Sequence, residues 1–575
     1  MPAAAPVDAR LLDKWDDPGL LRVHLQHTRE PSPDLHMDLA VLKARAQILK
    51  ARIRDLDDSR AQSSSSGNEA LDIELAASRF KRKILLWLMF PINDLPPEIL
   101  ATIFHMVLNA SETPMQAVLH RLHLTWVCGH WRHVAINDKL FWNVIWFRDR
   151  PPFPRSLAWI GRAGSAPLEI RIDEMKRRPE ETVDPPKLKK EEVEELLDKL
   201  LVKVATIRTL VVVLGSWPAA SAVLEKLRDA GTPASMERFE LHRTMAHPTS
   251  STPIVLADPD DDYEPLALCS GVAPRLRWLV LNGIPIDWHH SPLSNLTTLD
   301  LRRMAMHTSP SLTRWAEVLK SCPRLYRLSL DAAGPRLDQS SETPTIIEPV
   351  ELSNLRDLYI GDVSAPYAKT VLSTFTAPGL TSLTLMNLIS EDYGTVLEAI
   401  TESYPLLRVL ALYHVNVYRI DVNLFRVSRF LDSVPKLEYL KLSRCAQIVL
   451  ECFLENPREY RRTPLLPVHR EITAPTGREV MCPDLRYMSL HYQDMSQVLI
   501  LTQGRQQLEK PLQKVYYLAA NPDVNRQARQ ALQESVVEVS PLFEFVLQTP
   551  EEKKIHQEML RSAGLARDPL YEDSW

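Results

Sequence analysis

Apolar and polar positions alternate in a recurring pattern from about residue 200 onwards, written apolar-x-x-apolar-x-apolar. The copies of this pattern begin at Ile207, Met236, Leu276, Leu296, Leu325, Leu355, Leu380, Leu407, Leu437 and Leu485. Alternation with a period of two predicts a short strand with one buried face. Several copies follow a helical pattern that ends at a proline, which stops a helix and favours extended backbone. The chain is therefore expected to repeat a strand and a helical or irregular return.

The spacing of these copies resembles that of leucine-rich repeats. Successive copies begin 20 to 48 residues apart, and most intervals are 25 to 30 residues. One such unit cannot bury its own apolar face, whereas stacked units can. The position three residues after the last strand leucine usually holds Asn or Cys in these repeats, and only Cys445 fills it in that way. We expect an α/β repeat fold, with an irregular leucine-rich-repeat solenoid over residues 201–500.

The N-terminal part of the chain predicts helices. Over residues 35–56, apolar residues recur at alternating spacings of four and three, which indicates a short heptad seam. The seam spans about three heptads, so folding onto the rest of the chain and dimerisation both stay open. A serine-rich stretch from Asp57 predicts a flexible linker. Residues 1–70 form this helix and linker, and another amphipathic helix opens the next domain, 71–150.

The segment INDLPPEILATIF, residues 92–104, predicts a helix with more apolar surface than one packing face needs. At about 100° per residue, the apolar side chains between Ile99 and Leu108 cover an arc of roughly 200°. The prolines preset the start of the helix, and Glu98 suits its positive N-terminal end. The helix can therefore meet its own domain on one side and a partner on the other.

The following segments complete the domain outline. A second helix is expected from about Gln116 to Asn137, with one apolar face that includes Val127 and Val134. Residues 151–200 are expected to hold a turn and a short strand near Leu168, then a charged, solvated insertion at 176–200 that leads into a helix. Residues 501–575 contain charged amphipathic helices, which we expect to cap the last repeat or to form a tail.

The composition favours a binding protein over an enzyme. The 575 residues carry a formal net charge of −5, without the basic excess typical of nucleic-acid-binding chains. Phosphate-binding glycine loops and the usual hydrolase and metalloprotease motifs are missing from the sequence. With only 16 glycines against 44 prolines, we expect no enzyme activity and no cofactor.

The sequence also indicates a compartment. Six scattered cysteines form no disulfide framework, and the N-terminus lacks the pattern of a secretory signal. No stretch approaches 18 consecutive apolar residues. We expect a cytoplasmic or nuclear protein without a membrane or nucleic-acid partner.

Histidines are dense in LHRLHLTWVCGHWRHV, which begins at Leu119 and contains Cys128. Such density raises the possibility of zinc. Because Cys128 belongs to the apolar face of the predicted helix while the histidines point elsewhere, four convergent ligands are missing. Partly exposed histidines on a packed helix are the preferred interpretation, and we expect no metal site.

Residues 92–142 resemble the F-box motif in the order and spacing of several elements. These elements are Leu95-Pro96-Pro97-Glu98-Ile99, Ile103-Phe104, Val127-Cys128, Trp131-Arg132 and Trp142. Together with a leucine-rich tail, they resemble the F-box proteins abundant in fungi. In that family a small helical F-box binds a Skp-type adaptor, which bridges to a cullin with a RING ubiquitin ligase, while the distal repeats select the substrate.

The resemblance implies roles for individual residues. Adaptor contact is carried over to Leu95, Pro96, Glu98, Ile99, Leu100, Ile103 and Phe104. The internal F-box core is carried over to Cys128, Trp131 and Trp142. The pattern leaves open which of Ile103, Phe104 and Leu108 faces inward.

The function implied is that of a substrate-recognition subunit of a Skp-cullin-F-box ubiquitin ligase, with an unknown protein as substrate. The alternative is a leucine-rich-repeat binding protein that engages an adaptor without ubiquitin transfer. Recruitment of a cullin would distinguish the two.

Overall fold

The computed structural model describes residues 39–62, 69–89, 92, 95–111, 114–174, 187–244, 265–337, 347–386, 391–457, 479–518, 530–542 and 548–566. Within these ranges, no helix has both the length and the apolar character that crossing a bilayer requires. The described residues divide into two compact units. The first, called the helical unit, runs from residue 39 to 146 and includes 155–166. The second, called the sheet unit, includes 147–154 and continues from residue 167.

The helical unit consists of helices, a 3-10 turn and one strand. Its elements are α1 (Leu39–Gln62), α2 (Glu69–Leu88), α3 (Pro97–Asn109), α4 (Pro114–Trp126), α5 (Gly129–Asn137), a 3-10 turn (Lys139–Trp142), β1 (Val144–Phe147) and α6 (Pro154–Ala163). The sequence did not predict helix α6, which has one buried face that includes Trp159 and Ile160. The predicted turn follows this helix at residues 164–166 and leads into the strand at Leu168. The helical domain therefore extends beyond the predicted boundary at residue 150.

Helices α1 and α2 form an antiparallel hairpin. Leu42 and Ala46 on α1 pack against Leu85 on α2, and ion pairs such as Arg60–Asp72 at 2.9 Å cross between the helices. The heptad seam thus packs within the chain, which is the first of the two predicted alternatives. The linker expected from Asp57 is wrong up to Gln62, because α1 continues to that residue. The rest of the predicted linker, 63–68, lies outside the described residues.

The helix predicted between Gln116 and Asn137 is two helices. Cys128 has extended backbone, with φ −160° and ψ 174°, and its Sγ accepts a hydrogen bond from the Trp131 N–H at 3.4 Å. Cys128 therefore caps the start of α5. Val127, predicted on the buried face, is exposed. Because the helix is interrupted at Cys128, the apolar positions of α4 and α5 do not line up on one continuous face.

The sheet unit repeats parallel strands in chain order. The strands of its main sheet are β2 (Leu168–Asp173), β3 (Ile207–Leu214), β4 (Arg238–Arg243), β5 (Trp278–Asn282), β6 (Thr298–Arg302), β7 (Arg327–Asp331), β9 (Asp357–Gly361), β11 (Ser382–Met386), β12 (Val409–Tyr413), β13 (Tyr439–Ser443), β14 (Tyr487–His491), β15 (Lys514–Leu518) and β16 (Glu538–Pro541). A separate parallel pair consists of β8 (Val350–Glu351) and β10 (Phe375–Thr376).

Helices fill many of the connections between these strands, and a last helix follows β16. They are α7 (Lys190–Leu200), α8 (Trp217–Asp229), α9 (Leu312–Lys320), α10 (Ala365–Leu372), α11 (Gly394–Ala399), α12 (Asp421–Asp432), α13 (Gln447–Cys452), α14 (Met495–Gln507) and α15 (Pro550–Ser562). The described part of the sheet unit also has 3-10 segments at Leu201–Thr206, Leu268–Gly271 and Met306–Thr308. The sheet unit is therefore an α/β repeat.

The predicted strand positions lie in the core of the sheet unit. In neighbouring strands the central apolar residues are direct Cα partners, as for Leu210 with Phe239, and Leu328 with Leu358. All ten of the predicted central residues, from Leu210 to Met488, have 0% exposed surface. The alternating pattern is confirmed, because a strand with one buried face repeats its apolar side chains with a period of two.

The repeats extend beyond the predicted range of 201–500 in both directions. Strand β2 pairs with β3, and the sheet continues to β16. Helix α7, predicted within a solvated insertion, buries Val193, Leu196, Leu197 and Leu200. These apolar residues recur at helical spacing among many charged residues, which is why the segment was predicted to be solvated. The insertion is therefore wrong for 187–200, and residues 175–186 lie outside the described part of the chain.

Most strands of this sheet end in the same backbone turn. The residue two positions after the last apolar residue of the strand pattern has a positive φ at Gly283, Arg303, Ala332, Asp362, His414, Arg444 and Tyr492. Its N–H donates to a carbonyl of the next strand, as from Ala332 to Gly361 at 2.9 Å. Because only one of these residues is glycine, the turn leaves no signal in the sequence.

Replacing Ala332 by glycine is expected to raise the free energy of unfolding by about 0.5–1 kcal/mol. Its φ of 48° places Cβ in the strained left-handed region, which disfavours an L-residue by about 1–2 kcal/mol. Part of that gain is offset by the greater freedom of glycine in the unfolded chain. Urea unfolding followed by circular dichroism measures the change.

The matched control is Ala316→Gly inside α9. Ala316 is buried in a helix, so this variant should lose about 1 kcal/mol or more. Equal destabilisation by both variants would contradict the account of a strained turn.

Candidate functional site

Helix α3 begins without a side-chain cap. Pro96 is the N-cap residue, Pro97 occupies the first helical position and Glu98 lies in the first turn. A proline at this position sacrifices no helical hydrogen bond, and a carboxylate there favours the positive end of the helix dipole. The local sequence thus determines where the helix starts. Leu95, just before it, is half-buried.

The two sides of α3 differ in burial. Leu100 and Phe104 have 0% exposed surface, and Leu108 is also buried. On the other side, Ile99 is 50% exposed and Met106 is 65% exposed. The helix therefore has the second apolar side that the sequence predicted.

Burial corrects two of the predicted adaptor contacts. The Phe104 ring lies 5.0 Å from the Trp131 ring and 5.9 Å from the Phe141 ring, between centroids. Leu100 is equally inaccessible. Both side chains are part of the internal core, because neighbouring elements cover this half of the apolar arc. Of the three residues whose orientation the sequence left open, Phe104 and Leu108 face inward and Ile103 is half-buried.

The remaining predicted contacts are accessible. Pro96, Glu98 and Ile99 are exposed, and Leu95 and Ile103 are half-buried. Sequence reasoning did not include Met106 in this set, although its position seven residues after Ile99 places it on the same side of the helix. We call Leu95, Pro96, Glu98, Ile99, Ile103 and Met106 the α3 outer face.

Trp142 is the centre of the helical core. Its side chain is fully buried, and its indole N–H donates to the Ala135 carbonyl at 2.7 Å. Its ring contacts the Trp159 ring at 5.2 Å between centroids, and the Arg162 guanidinium lies 4.5 Å from the ring centre. The structure therefore places Trp142 in the predicted core position.

The other two predicted core residues are half-buried. Trp131 contacts Phe104, whereas Cys128 caps α5. Burial raises the pKa of the Cys128 thiol, while the hydrogen bond from Trp131 acts in the opposite direction. Cys128 therefore contributes through its position at the helix start and remains a thiol at neutral pH.

The histidines near Cys128 have separate contacts. His120 Nδ1 lies 2.9 Å from the Ser111 hydroxyl, and His133 Nε2 lies 2.9 Å from the Asn137 amide. Within the described ranges, no three His, Cys, Asp or Glu side chains are arranged to hold a metal ion.

The second candidate surface is the sheet face formed by side chains that alternate with the buried ones. On β12 to β14 this face includes Val409, Tyr439, Lys441 and Tyr487. Helix α15 packs on it: Ile555 and Met559 form an apolar cluster with Val409 and Tyr439. The helix expected at this part of the C-terminal region is confirmed, but it lies on the sheet face rather than only at the end of the repeats.

Polar contacts also hold α15 on the sheet face. Lys441 Nζ lies 3.1 Å from Glu552 Oε2, with side-chain exposures of 1% and 8%. The Tyr439 hydroxyl lies 2.7 Å from the Thr549 hydroxyl, and Arg408 pairs with Glu558 at 2.9 Å. Buried charged groups need partners, and these pairs form only when α15 lies in this position. The polar contacts therefore specify where the helix packs on the sheet.

A cavity of about 640 Å³ lies beside α15 on the same face. Its lining includes hydroxyl side chains of β7 to β11, with Glu552 and His556 from the helix. Although burial alone raises the pKa of Asp357 in this lining, the charges of Arg327 and His556 lower it. The Arg327–Asp357 pair, at 2.8 Å, and the neighbouring hydroxyls suit hydrogen bonding to a bound ligand.

Charged side chains on the earlier strands of this face are paired within the sheet. Arg238 contacts Glu240 at 2.6 Å, and Arg302 contacts Asp300 at 2.6 Å. Although burial raises the pKa of Glu240, the hydrogen bond from His242 and the charge of Arg238 lower it to about 2. The carboxylate is therefore ionised throughout the physiological pH range. This part of the face presents paired charges and little net charge.

No family model matches the sequence, and no curated protein shows significant similarity to it.

Proposed function

We propose that this chain is the substrate-recognition subunit of a Skp-cullin-F-box ubiquitin ligase. The observation that carries the proposal is the α3 outer face, where Ile99 and Met106 are exposed while the opposite side of the helix fills the core. One apolar side of a helix is enough to pack against the core of its own domain, so a second, exposed apolar side is typical of a binding surface. The F-box resemblance of residues 92–142 supports a Skp-type adaptor as the partner that covers it.

Apolar burial gives the expected scale of this interaction. Fully burying one large aliphatic side chain contributes about 1.5–3 kcal/mol. Ile99 and Met106, which are 50% and 65% exposed, would each contribute part of that amount, and the half-buried Leu95 and Ile103 would add to it. Glu98, at the exposed start of the helix, would lie at the edge of that contact.

The sheet unit is proposed to recognise the substrate, as irregular leucine-rich repeats. Where α15 does not cover it, the sheet face presents hydrogen-bonding and charged side chains on consecutive strands, and this supports recognition of a polypeptide. The mechanism is proximity: the adaptor and cullin hold the substrate near a charged conjugating enzyme, which raises the effective concentration of substrate lysines. The chain's own residues bind and orient, while the ligase carries out the transfer.

The proposal predicts that Ile99→Asp weakens the affinity for a Skp-type adaptor by about 100-fold, because an unpaired carboxylate buried in an interface costs several kcal/mol. Isothermal titration calorimetry with the purified adaptor measures this change. Because Ile99 is half exposed, the variant should retain its circular dichroism spectrum.

The matched control is Ile48→Asp in the same unit. Ile48 lies on α1 and is 67% exposed, so its adaptor affinity should equal that of the unmodified chain. An unchanged affinity of Ile99→Asp, or an equal loss in both variants, would contradict the proposed binding face.

A further inference from the structure

A second cavity, of about 950 Å³, lies where strands β5 to β9 begin. Four arginines line it, namely Arg275, Arg277, Arg324 and Arg356, and the last residue of α15 with the residues that follow it completes the wall. We call this the arginine cavity. It is separate from the cavity beside Asp357, with which it shares no lining residue.

The arginine cavity carries an excess of positive charge. Glu237 is the carboxylate in its lining, and it accepts contacts from Arg208 at 2.9 Å and Arg277 at 3.3 Å. One negative charge is thus shared between two arginines. The lining itself therefore sums to four positive charges against one negative charge.

Two of the arginines are available to a ligand. Arg275 and Arg324 are exposed, and within the described part of the chain neither makes a hydrogen bond or an ion pair. Arg356 is half-buried and donates to the carbonyls of Ser353 and Leu355. Carbonyl contacts position this guanidinium without neutralising its charge.

The repeat itself aligns these side chains. Arg275 and Arg324 each follow a proline and precede the first buried leucine of a strand, in APRL and CPRL. The strands they lead into, β5 and β7, are separated by β6 alone. Since neighbouring strands are about 4.8 Å apart, the two positions lie roughly 10 Å apart along one edge. Arginine side chains are long enough to converge across that distance on one group.

We propose that the arginine cavity binds the phosphate monoester group of a phosphorylated ligand. Guanidinium groups donate paired hydrogen bonds to phosphate oxygens, and a dianion matches a site with excess positive charge better than a single carboxylate does. The cavity volume exceeds the size of a phosphate group, and Leu276 and Leu565 supply apolar wall. That wall favours a phosphate carried on a larger molecule. The site does not involve the helical unit, so it is independent of adaptor binding.

Calorimetry on the full chain tests this proposal with three probes. The probes are a hexapeptide with one phosphoserine among alanines and glycines, the same peptide with serine, and inorganic phosphate, all at about 0.15 M ionic strength to limit non-specific attraction. We expect the phosphopeptide to bind and the serine peptide not to bind. Equal affinity for inorganic phosphate would identify a small soluble phosphate as the source, whereas preference for the phosphopeptide would identify a polypeptide.

The double variant Arg275→Gln with Arg324→Gln is expected to weaken binding of the phosphate-bearing probe by about 10- to 100-fold, because it removes two charge-assisted donors. Its matched control is Lys320→Gln with Lys436→Gln, which removes two positive charges from exposed residues outside the cavity lining. The control should keep the original affinity. No binding of either phosphate probe by the unmodified chain, or equal weakening in both double variants, would overturn the proposal.

Discussion

Glu552→Leu is expected to lower the free energy of unfolding of the sheet unit by about 3–5 kcal/mol, because breaking a buried ion pair by removing its carboxylate is strongly destabilising. The remaining charge is Lys441, whose side chain is 1% exposed beneath α15. Glu552 also completes the capping box of that helix with Thr549. Urea unfolding followed by circular dichroism measures the loss.

A second variant separates the ion pair from the packing of α15. Lys441→Met combined with Glu552→Leu replaces both charges by apolar side chains, so it should recover most of the stability lost by the single variant. Hydrogen exchange of peptides from α15 should be faster in Glu552→Leu than in the double variant. A loss below about 1 kcal/mol for Glu552→Leu would contradict the account that α15 is held on the sheet face.

Phe104→Ala is expected to destabilise the helical unit by about 3–5 kcal/mol, since it leaves a cavity among packed aromatic rings. Phe104 has 0% exposed surface and contacts the rings of Trp131 and Phe141. Hydrogen exchange of peptides from α3 and α5, followed by mass spectrometry, reports on this unit alone.

Ile99→Ala is the matched control for Phe104→Ala on the same helix. Because Ile99 is half exposed, its truncation should change stability by no more than about 0.5 kcal/mol. If both variants destabilised the unit equally, the division of α3 into an inner and an outer side would be wrong.

The strand positions of the sheet unit could be predicted from sequence because each strand encodes its own buried face. Leu358 and Leu410, for example, stand at the centre of an alternating pattern and are fully buried. The later strand β15 follows the same spacing, with Leu512, Val515 and Tyr517 all buried. The third apolar position of β15 holds a tyrosine instead of an aliphatic residue, so the sequence pattern did not predict this strand.

Other features depend on contacts that one segment does not encode. The apolar arc of α3 predicts two sides, but the side that faces inward depends on Trp131 and Phe141, which belong to other elements. The amphipathic pattern of α15 predicts a helix, whereas its position depends on Lys441 and Tyr439 in distant strands. Likewise, Arg275 and Arg324 are conspicuous only once the strands are aligned.

The most direct test of the central claim is the mass of the complex that forms when this chain is co-expressed with a Skp-type adaptor and analysed by native mass spectrometry. The account predicts a one-to-one complex, heavier than the 65.6 kDa chain by the mass of one adaptor. A folded chain that remains at 65.6 kDa in the presence of excess adaptor would contradict the claim that the α3 outer face binds an adaptor.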